Sequence, residues 1–327
     1  MDCKGNGSRF TDSARIMGIA VHHTRHGLLC HEELDRTIGA SLRMYGEWAE
    51  EEIYFLSFFI APGAVVLDIG ANIGTHALAF SRFVTPQGRV VAIDAQERAY
   101  DLLVLNMALN GASQVNCVRA LVGRETGVRF VPPDDGPACT DLGTVAFLDP
   151  SPAKAFAPLL TPLPLITLDD LALERCDLIK IDVEGMELDV LLGAETTVER
   201  YRPAIYFEQA REQRFPETFD LFRRADYLLF WHVADPFNRH NLHGQAGNIF
   251  GGTREINVLA LPEEQEEGRR GQMSALQPIL RPIYEPPPRY GSTSGWALPD
   301  TAYNQLPRVT HSSLANAIAE RTSANWV

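Results

Sequence analysis

The chain of 327 residues is poor in cysteine, short of basic side chains and without a long apolar run, and each shortage excludes a class of protein. Its five cysteines (Cys3, Cys30, Cys117, Cys139, Cys176) are scattered and form no Cys-x-x-Cys, so neither a disulfide framework nor a zinc ribbon is expected. Lys plus Arg number 29 against 42 Asp plus Glu, a formal net charge of −13. A field of that sign opposes phosphate backbones and anionic lipid, so nucleic acid is not an expected partner. The longest apolar stretch, Ile53 to Leu67, is interrupted by Pro62-Gly63 and falls short of the roughly 20 residues a membrane span needs. The first residues carry no apolar signal core. The expectation is a reduced, soluble, cytoplasmic protein with no membrane partner. No internal repeat is visible.

What the sequence does contain is rhythm. Residues 1 to about 32 read as polar and irregular, and Asp35 to Ile60 as helical, with Leu42, Trp48, Ile53, Leu56 and Phe59 recurring among charges. Buried-strand patterns then alternate with helical ones. The strands are Val65–Gly70, Arg89–Asp94, Val115–Leu121, Asp177–Asp182, Pro203–Glu208, Tyr227–Val233 and Glu255–Leu261. The alternation lapses over 123–165, rich in Gly and Pro, which reads as an insertion lying over one edge, and Ile166–Leu173 reads as a short strand and helical turn. Strands and helices in this order predict an α/β domain, a mostly parallel sheet with helices on both faces. We divide the chain into a lead-in (1–60), the α/β domain (61–262) and a Pro-rich extension (263–327). That extension is poorly suited to a core of its own, and is expected to wrap on the domain or on a partner, a second copy of the chain included.

Ligands of open parallel sheets sit beyond the carboxyl ends of the strands. The first strand there ends in Asp68, Gly70, Ala71, Asn72 and Gly74, a turn whose glycines let the backbone approach a ligand. A dinucleotide fingerprint would need glycine at 72 and 75, where Asn72 and Thr75 stand, and no Walker Lys-Ser/Thr occurs. An NAD-dependent oxidoreductase is thereby disfavoured. Asp94 closes the second strand, where an acid binds a ribose diol, and Asp68 is placed to accept from an ammonium group. A ribose acid without a phosphate cradle fits S-adenosylmethionine better than NAD; helix capping and a non-catalytic nucleotide pocket are the competing readings.

The strand Asp177–Asp182 runs into Val183-Glu184-Gly185-Met186-Glu187. Lys180 and Asp182 share one side of the strand by its period of two. Asp182 stands where acid/base work is usually placed, Glu184 is a second candidate, and Glu187 reads as a helix-terminal cap.

LDIGANIG, the AID at the second strand end and above all DLIKIDVEGMELDVLLGA resemble the FkbM-type S-adenosylmethionine-dependent methyltransferases. The upstream YGEWAEEEIYFLSFFIAPGAVVLDIGANIG and the late DPFNRHNLHGQAGNIFGGTREINVLALP are also similar, so the likeness covers about Asp35 to Pro262. It implies a class I methyltransferase fold: a Rossmann-like, doubly wound sheet of six parallel strands and an antiparallel seventh. It further implies S-adenosylmethionine as cofactor, bound at Asp68, Gly70, Ala71, Asn72, Gly74 and Asp94, and methylation of a small-molecule hydroxyl acceptor, a sugar or secondary metabolite. Asp94 stands where the family usually has Glu. Asp182 and Glu184 are the candidate catalytic residues. A variant adds Mg, held by Asp182 and Glu208, by analogy with catechol-type methyltransferases of the same fold.

Weaker signals remain. His22, His23, His26, Cys30 and His31 form a cluster, with offsets of four between 22, 26 and 30 that are compatible with zinc ligands, although exposed or substrate-lid histidines fit the polar segment better. His76 faces either the cleft or solvent. Asn238, His240, Asn241 and His243, in the loop Asp235–Gly252, are candidates for an acceptor pocket.

Overall fold

A computed structural model describes residues 15–16, 18–131, 160–209, 212–273 and 276–280. The expectations for residues 1–14, for the interior of the insertion (132–159), for Cys139 and for the tail from 281 lie outside the described residues.

Residues expected to be irregular form strands instead. β1 (Arg15–Ile16), β2 (Ile19–Thr24) and β3 (Gly27–Glu32) make a small antiparallel sheet. Ala20 and Val21 on one strand, and Leu28, Leu29 and Cys30 on the other, are buried. The free edge of β3 is closed by Asn106, on α4 (Glu97–Leu109), and by Asn110, the residue that ends that helix. Asn110 Oδ1 accepts from Leu28 N (2.9 Å), and Asn106 Nδ2 donates to the Cys30 carbonyl (3.0 Å). Side-chain amides thus stand in for the missing strand.

The helical lead-in is two helices, α1 (Ile38–Tyr45) and α2 (Glu50–Ser57). Gly46 ends α1 in the left-handed conformation, and Ala49 is left-handed too, which no continuous helix tolerates. Between them Glu47 is buried and accepts from Arg25 Nε (2.8 Å), Asn238 Nδ2 (2.7 Å) and Leu242 N (3.0 Å).

The α/β rhythm builds one eight-stranded sheet. Its strands are β4 (Val65–Ile69), β5 (Arg89–Asp94), β6 (Val115–Arg119), β10 (Leu178–Ile181), β11 (Ala204–Glu208), β12 (Tyr227–Ala234), β13 (Glu255–Pro262) and β14 (Gln277–Pro278). The order is β14-β12-β13-β11-β10-β4-β5-β6. The five strands from β11 to β6 are mutually parallel, and β13 runs antiparallel between β11 and β12. Six parallel strands and one reversed one are the expected arrangement. The start of the extension adds β14 to the β12 edge. α3 (Thr75–Val84) and α4 cover one face with α2. α5 (Glu187–Leu192), α6 (Glu195–Tyr201) and α7 (Phe215–Arg224) lie on the other side, and α8 (Glu266–Met273) follows β13. The helical segment after Gly185 is broken at Gly193, where a Cβ would lie 2.0 Å from the Gly123 carbonyl oxygen.

β7 (Leu121–Val122), β8 (Gly127–Val131) and β9 (Thr161–Ile166) form a separate sheet in the order β7-β9-β8. The strand expected from Ile166 therefore ends there, followed by a 3-10 turn at Asp169–Leu171.

Strand alternation sorts the core into two halves. Val66, Leu178, Tyr206 and Leu259 point to the α2–α3 face, while Leu67, Ile69, Ile179, Ile181 and Val258 point to the other. Register sets Lys180 beside Asp68 on one flank and Tyr206 on the other, and Glu208 beside Asn257. By the same parity a row of polar side chains belongs to the α2–α3 face at the carboxyl ends of the strands.

Candidate active site

A cavity of about 310 Å3 opens at these strand ends, within the range of ligand pockets. Gly70, Ala71, Asn72, Asp94, Asp182, Glu184 and Glu208 all line it. Asp68 and Gly74 do not: Asp68 is fully buried behind Lys180, and Gly74 begins α3.

The turn between β4 and α3 is left-handed at Gly70 (φ +79°), Asn72 (φ +49°) and Gly74 (φ +88°). A Cβ on Gly70 would sit 1.7 Å from the Asp182 carbonyl oxygen, so the β4 and β10 ends approach as closely as bare backbone permits. Gly70 N and Ala71 N both donate to the Ile93 carbonyl (2.9 and 3.0 Å), which folds the turn onto β5. Asn72 N and Gln96 N then donate to the two oxygens of Asp94 (2.7 and 2.9 Å). Burial outweighs those two donors and holds the Asp94 carboxyl up at about 6. Each oxygen keeps a second lone pair for a ligand.

Among the described residues, Lys180 is the one basic side chain of Lys or Arg type lining the cavity. Its ammonium lies 3.6 Å from Asp68 Oδ1 and 3.3 Å from Asp182 Oδ2. Burial works against its charge, but the three carboxylates of Asp182, Asp68 and Glu52 prevail and hold it protonated. Asp182 is 43% exposed and so presents its carboxylate to the cavity. Glu187 Oε1 accepts from Gly185 N (2.6 Å), which lies ahead of α5, so its carboxylate pins the turn before the helix and does not cap the helix as expected. Glu184 has a positive φ (+52°), and burial and neighbouring acids raise its carboxyl to about 7. Half-buried Glu208 is pushed up to about 9 by desolvation and by the neighbouring acids Asp182, Glu255 and Glu184. Carboxylate oxygens of Asp182, Glu184 and Glu208 lie within 4.8 Å of one another, and no His or Cys cluster of this kind occurs among the described residues.

Sequence reasoning missed part of this wall. Glu52, on α2, is buried; Asn257 Nδ2 donates to its Oε1 (3.0 Å), and Oε2 lies 3.6 Å from His76 Nε2. Burial raises Glu52 to about 7 and lowers His76 to about 3, so the imidazole is neutral, and its Nε2 has no hydrogen-bond partner. Of the two placements open for His76, the structure takes the cleft. Glu255 completes the wall. Nothing in Glu50-Glu51-Glu52 separates the third acid from ordinary residues of a first helical turn; only the register of β13 would have brought Asn257 and Glu255 here.

Other candidates are placed elsewhere. His22 stacks on His31 (5.1 Å between ring centroids) and His26 Nε2 contacts Glu50 Oε2 (2.9 Å), so the offsets of four are those of a hairpin and not of a zinc site. The loop Asp235–Gly252 is docked on the α1–α2 connection. Asn238 serves Glu47, Asn241 binds the loop's own backbone, and none of its residues lines the cavity.

Residues 68–229 match the family described as Methyltransferase FkbM domain. Methyltransferase sdnD of Sordaria araneosa is 26% identical over 198 residues, 50% of this chain and 76% of that protein. Methyltransferase FkbM from Methylobacillus flagellatus KT is 18% identical with a TM-score of 0.39, covering 61% of this chain and 44% of that one. The chain therefore spans less than half the length of that solved relative. An S-adenosylmethionine-dependent O-methyltransferase from Thermotoga maritima is 13% identical with a TM-score of 0.38, covering 65% of this chain and 64% of that one. The matched segment begins at Asp68 and includes the glycine turn, Asp94, Lys180, Asp182, Glu184 and Glu208; Glu52, Glu255 and Asn257 lie outside it. With its sheet order, the domain has the class I, Rossmann-like methyltransferase fold. Residues 68–229 are therefore a Methyltransferase FkbM domain.

Proposed function

We infer that the protein is an S-adenosylmethionine-dependent O-methyltransferase acting on a hydroxyl of a sugar or natural-product acceptor. One observation carries this reading: a single cavity joins a ribose-type acid, Asp94, and a left-handed glycine turn to a carboxylate, Asp182, at the neighbouring strand end. Asp94 would hold the ribose diol, the open backbone of Gly70–Asn72 the amino-acid part, and the β10–β13 side of the cavity the acceptor. When bound, the donor supplies an electrophilic methyl group on a sulfonium. The chain's own task is then alignment, which supplies roughly 7–11 kcal/mol where two bound molecules are held in line. Asp182, steadied by Lys180, accepts the hydrogen bond of the acceptor hydroxyl and orients or deprotonates it. The cytoplasmic setting belongs to this proposal and is supported by the free, buried thiols of Cys30 and Cys176. Among the described residues no helix is long and apolar enough to cross a membrane.

A radiolabelled methyl-transfer screen over sugars and natural-product scaffolds tests the acceptor class. Asp182→Asn should abolish transfer while S-adenosylhomocysteine binds as before; wild-type turnover in that variant would remove Asp182 from the mechanism.

The grouping of Asp182, Glu184 and Glu208 favours a second reading, a metal-assisted variant in which these hard oxygen donors hold Mg. Its chemistry would be Lewis-acid polarisation of the acceptor oxygen. Transfer that survives EDTA eliminates it.

A further inference from the structure

The cavity wall that runs on from the glycine turn along the β10, β11 and β13 ends carries more negative charge than the chain itself neutralises. Glu52, Asp182, Glu184, Glu208 and Glu255 line it, from α2, the β10 end, the β11 end and β13, and among the described residues Lys180 is their one ammonium. That ammonium is already shared with Asp68, which lies fully buried on its far side. A second, independent sign is His76. It is only 6% exposed, lines the same cavity, and its Nε2 meets no hydrogen-bond partner. Burying an unpaired imidazole nitrogen and several carboxyls is costly unless something polar completes them, and like charges this close repel one another.

We propose that this acidic wall senses the charge of the donor, so that the protein holds the sulfonium S-adenosylmethionine more tightly than its neutral product S-adenosylhomocysteine. The inference rests on the donor reading above and extends it to turnover. The two ligands share adenosine, ribose and the amino-acid group, so Asp94 and the glycine turn hold both alike. They differ by one methyl and one positive charge. The acceptor must reach the methyl from the β10–β13 side, so the charge that disappears on transfer faces Asp182, Glu208 and their neighbours. Loss of that charge returns the wall to its repulsive state and weakens the grip on the product. The device needs no conformational change and limits product inhibition.

Calorimetric titration of the full chain with each ligand, in EDTA and at about pH 8 where most of these acids are ionised, reads the effect directly. S-adenosylmethionine should bind at least about tenfold more tightly than S-adenosylhomocysteine, equivalent to about 1.4 kcal/mol. Glu52→Gln and Glu255→Gln should each narrow the ratio by weakening S-adenosylmethionine, with the product's affinity unchanged to within about twofold. The glutamine in the first variant can still accept from Asn257, and the second removes an acid to which no hydrogen bond is tied, so the pair guards against a fold defect in either. Equal or tighter binding of the product to the wild type, or equal weakening of both ligands in both variants, overturns the charge-sensing role. Failure of both ligands to bind the wild type would instead overturn the donor reading itself.

Discussion

Replacing Lys180 by Met removes the ammonium that lies beside a fully buried carboxylate. Asp68 is 0% exposed, and its partner ammonium lies 3.6 Å away. At that distance, and at an effective dielectric of about 20, the attraction is about 4–5 kcal/mol. Breaking such a pair from one side typically costs about 3–5 kcal/mol, because the remaining charge stays buried without compensation. The contact to Asp182 adds little to this figure, since that carboxylate is 43% exposed and screened by water. In a domain of this size each kcal/mol moves the melting temperature by about 2–4 °C, so Lys180→Met should melt roughly 6–20 °C below wild type. Thermal unfolding followed by circular dichroism measures this. The double variant Asp68→Asn/Lys180→Met should recover a large part of the loss, because an amide costs far less to bury than an ion. A shift under about 2 °C, or a double variant no more stable than the single one, would show that Asp68 does not depend on Lys180.

Three further outcomes are expected. Gly70→Ala brings a Cβ to 1.7 Å from the Asp182 carbonyl oxygen at φ +79°, so the variant should be destabilised by at least about 3 kcal/mol or fail to fold; near-wild-type melting would contradict the described turn. Asp94→Ala removes the acceptor of two backbone amides and the ribose acid together, and should weaken S-adenosylhomocysteine at least about tenfold by calorimetry, with Asp94→Asn intermediate. The third concerns pH. Glu52 and Glu255 are raised to about 7 and Glu208 to about 9 from an ordinary 4.5, so the fold favours their protonated forms. The stability they contribute is complete below the unfolded value and is lost as pH rises through about 7 to 9. Glu208→Gln should therefore melt progressively higher than wild type between about pH 5 and pH 9, and parallel melting curves would refute the assignment.

The strand–helix rhythm was legible because parallel strands covered on both faces are nearly continuous apolar runs, and Val65–Ile69, Arg89–Asp94 and Leu178–Ile181 are such runs. The hairpin Ile19–Glu32 was not legible. Its edge is satisfied by Asn106 and Asn110, some eighty residues away, and its histidines disguise a half-buried strand as a polar segment. The break at Gly46–Ala49 was likewise hidden, because Glu47 is fixed by Arg25 and Asn238 from distant parts of the chain. At the site, Asp94, Asp182 and Glu208 announced themselves as acids at strand ends. His76 stood open between cleft and solvent, and Glu52, Asn257 and Glu255 gave no sign, since what unites them is sheet register and the packing of α2 and α3 over one face. Register across parallel strands is set by long-range packing, and a single sequence carries little of it.

A crystal structure of the protein with S-adenosylhomocysteine tests most directly where the donor sits. The ribose hydroxyls should lie within hydrogen-bond distance of Asp94 and the homocysteine part should lie over Gly70–Asn72, with its sulfur turned toward Asp182 and Glu208. A nucleoside bound elsewhere, or a cavity that admits no ligand at saturating concentration, would contradict it.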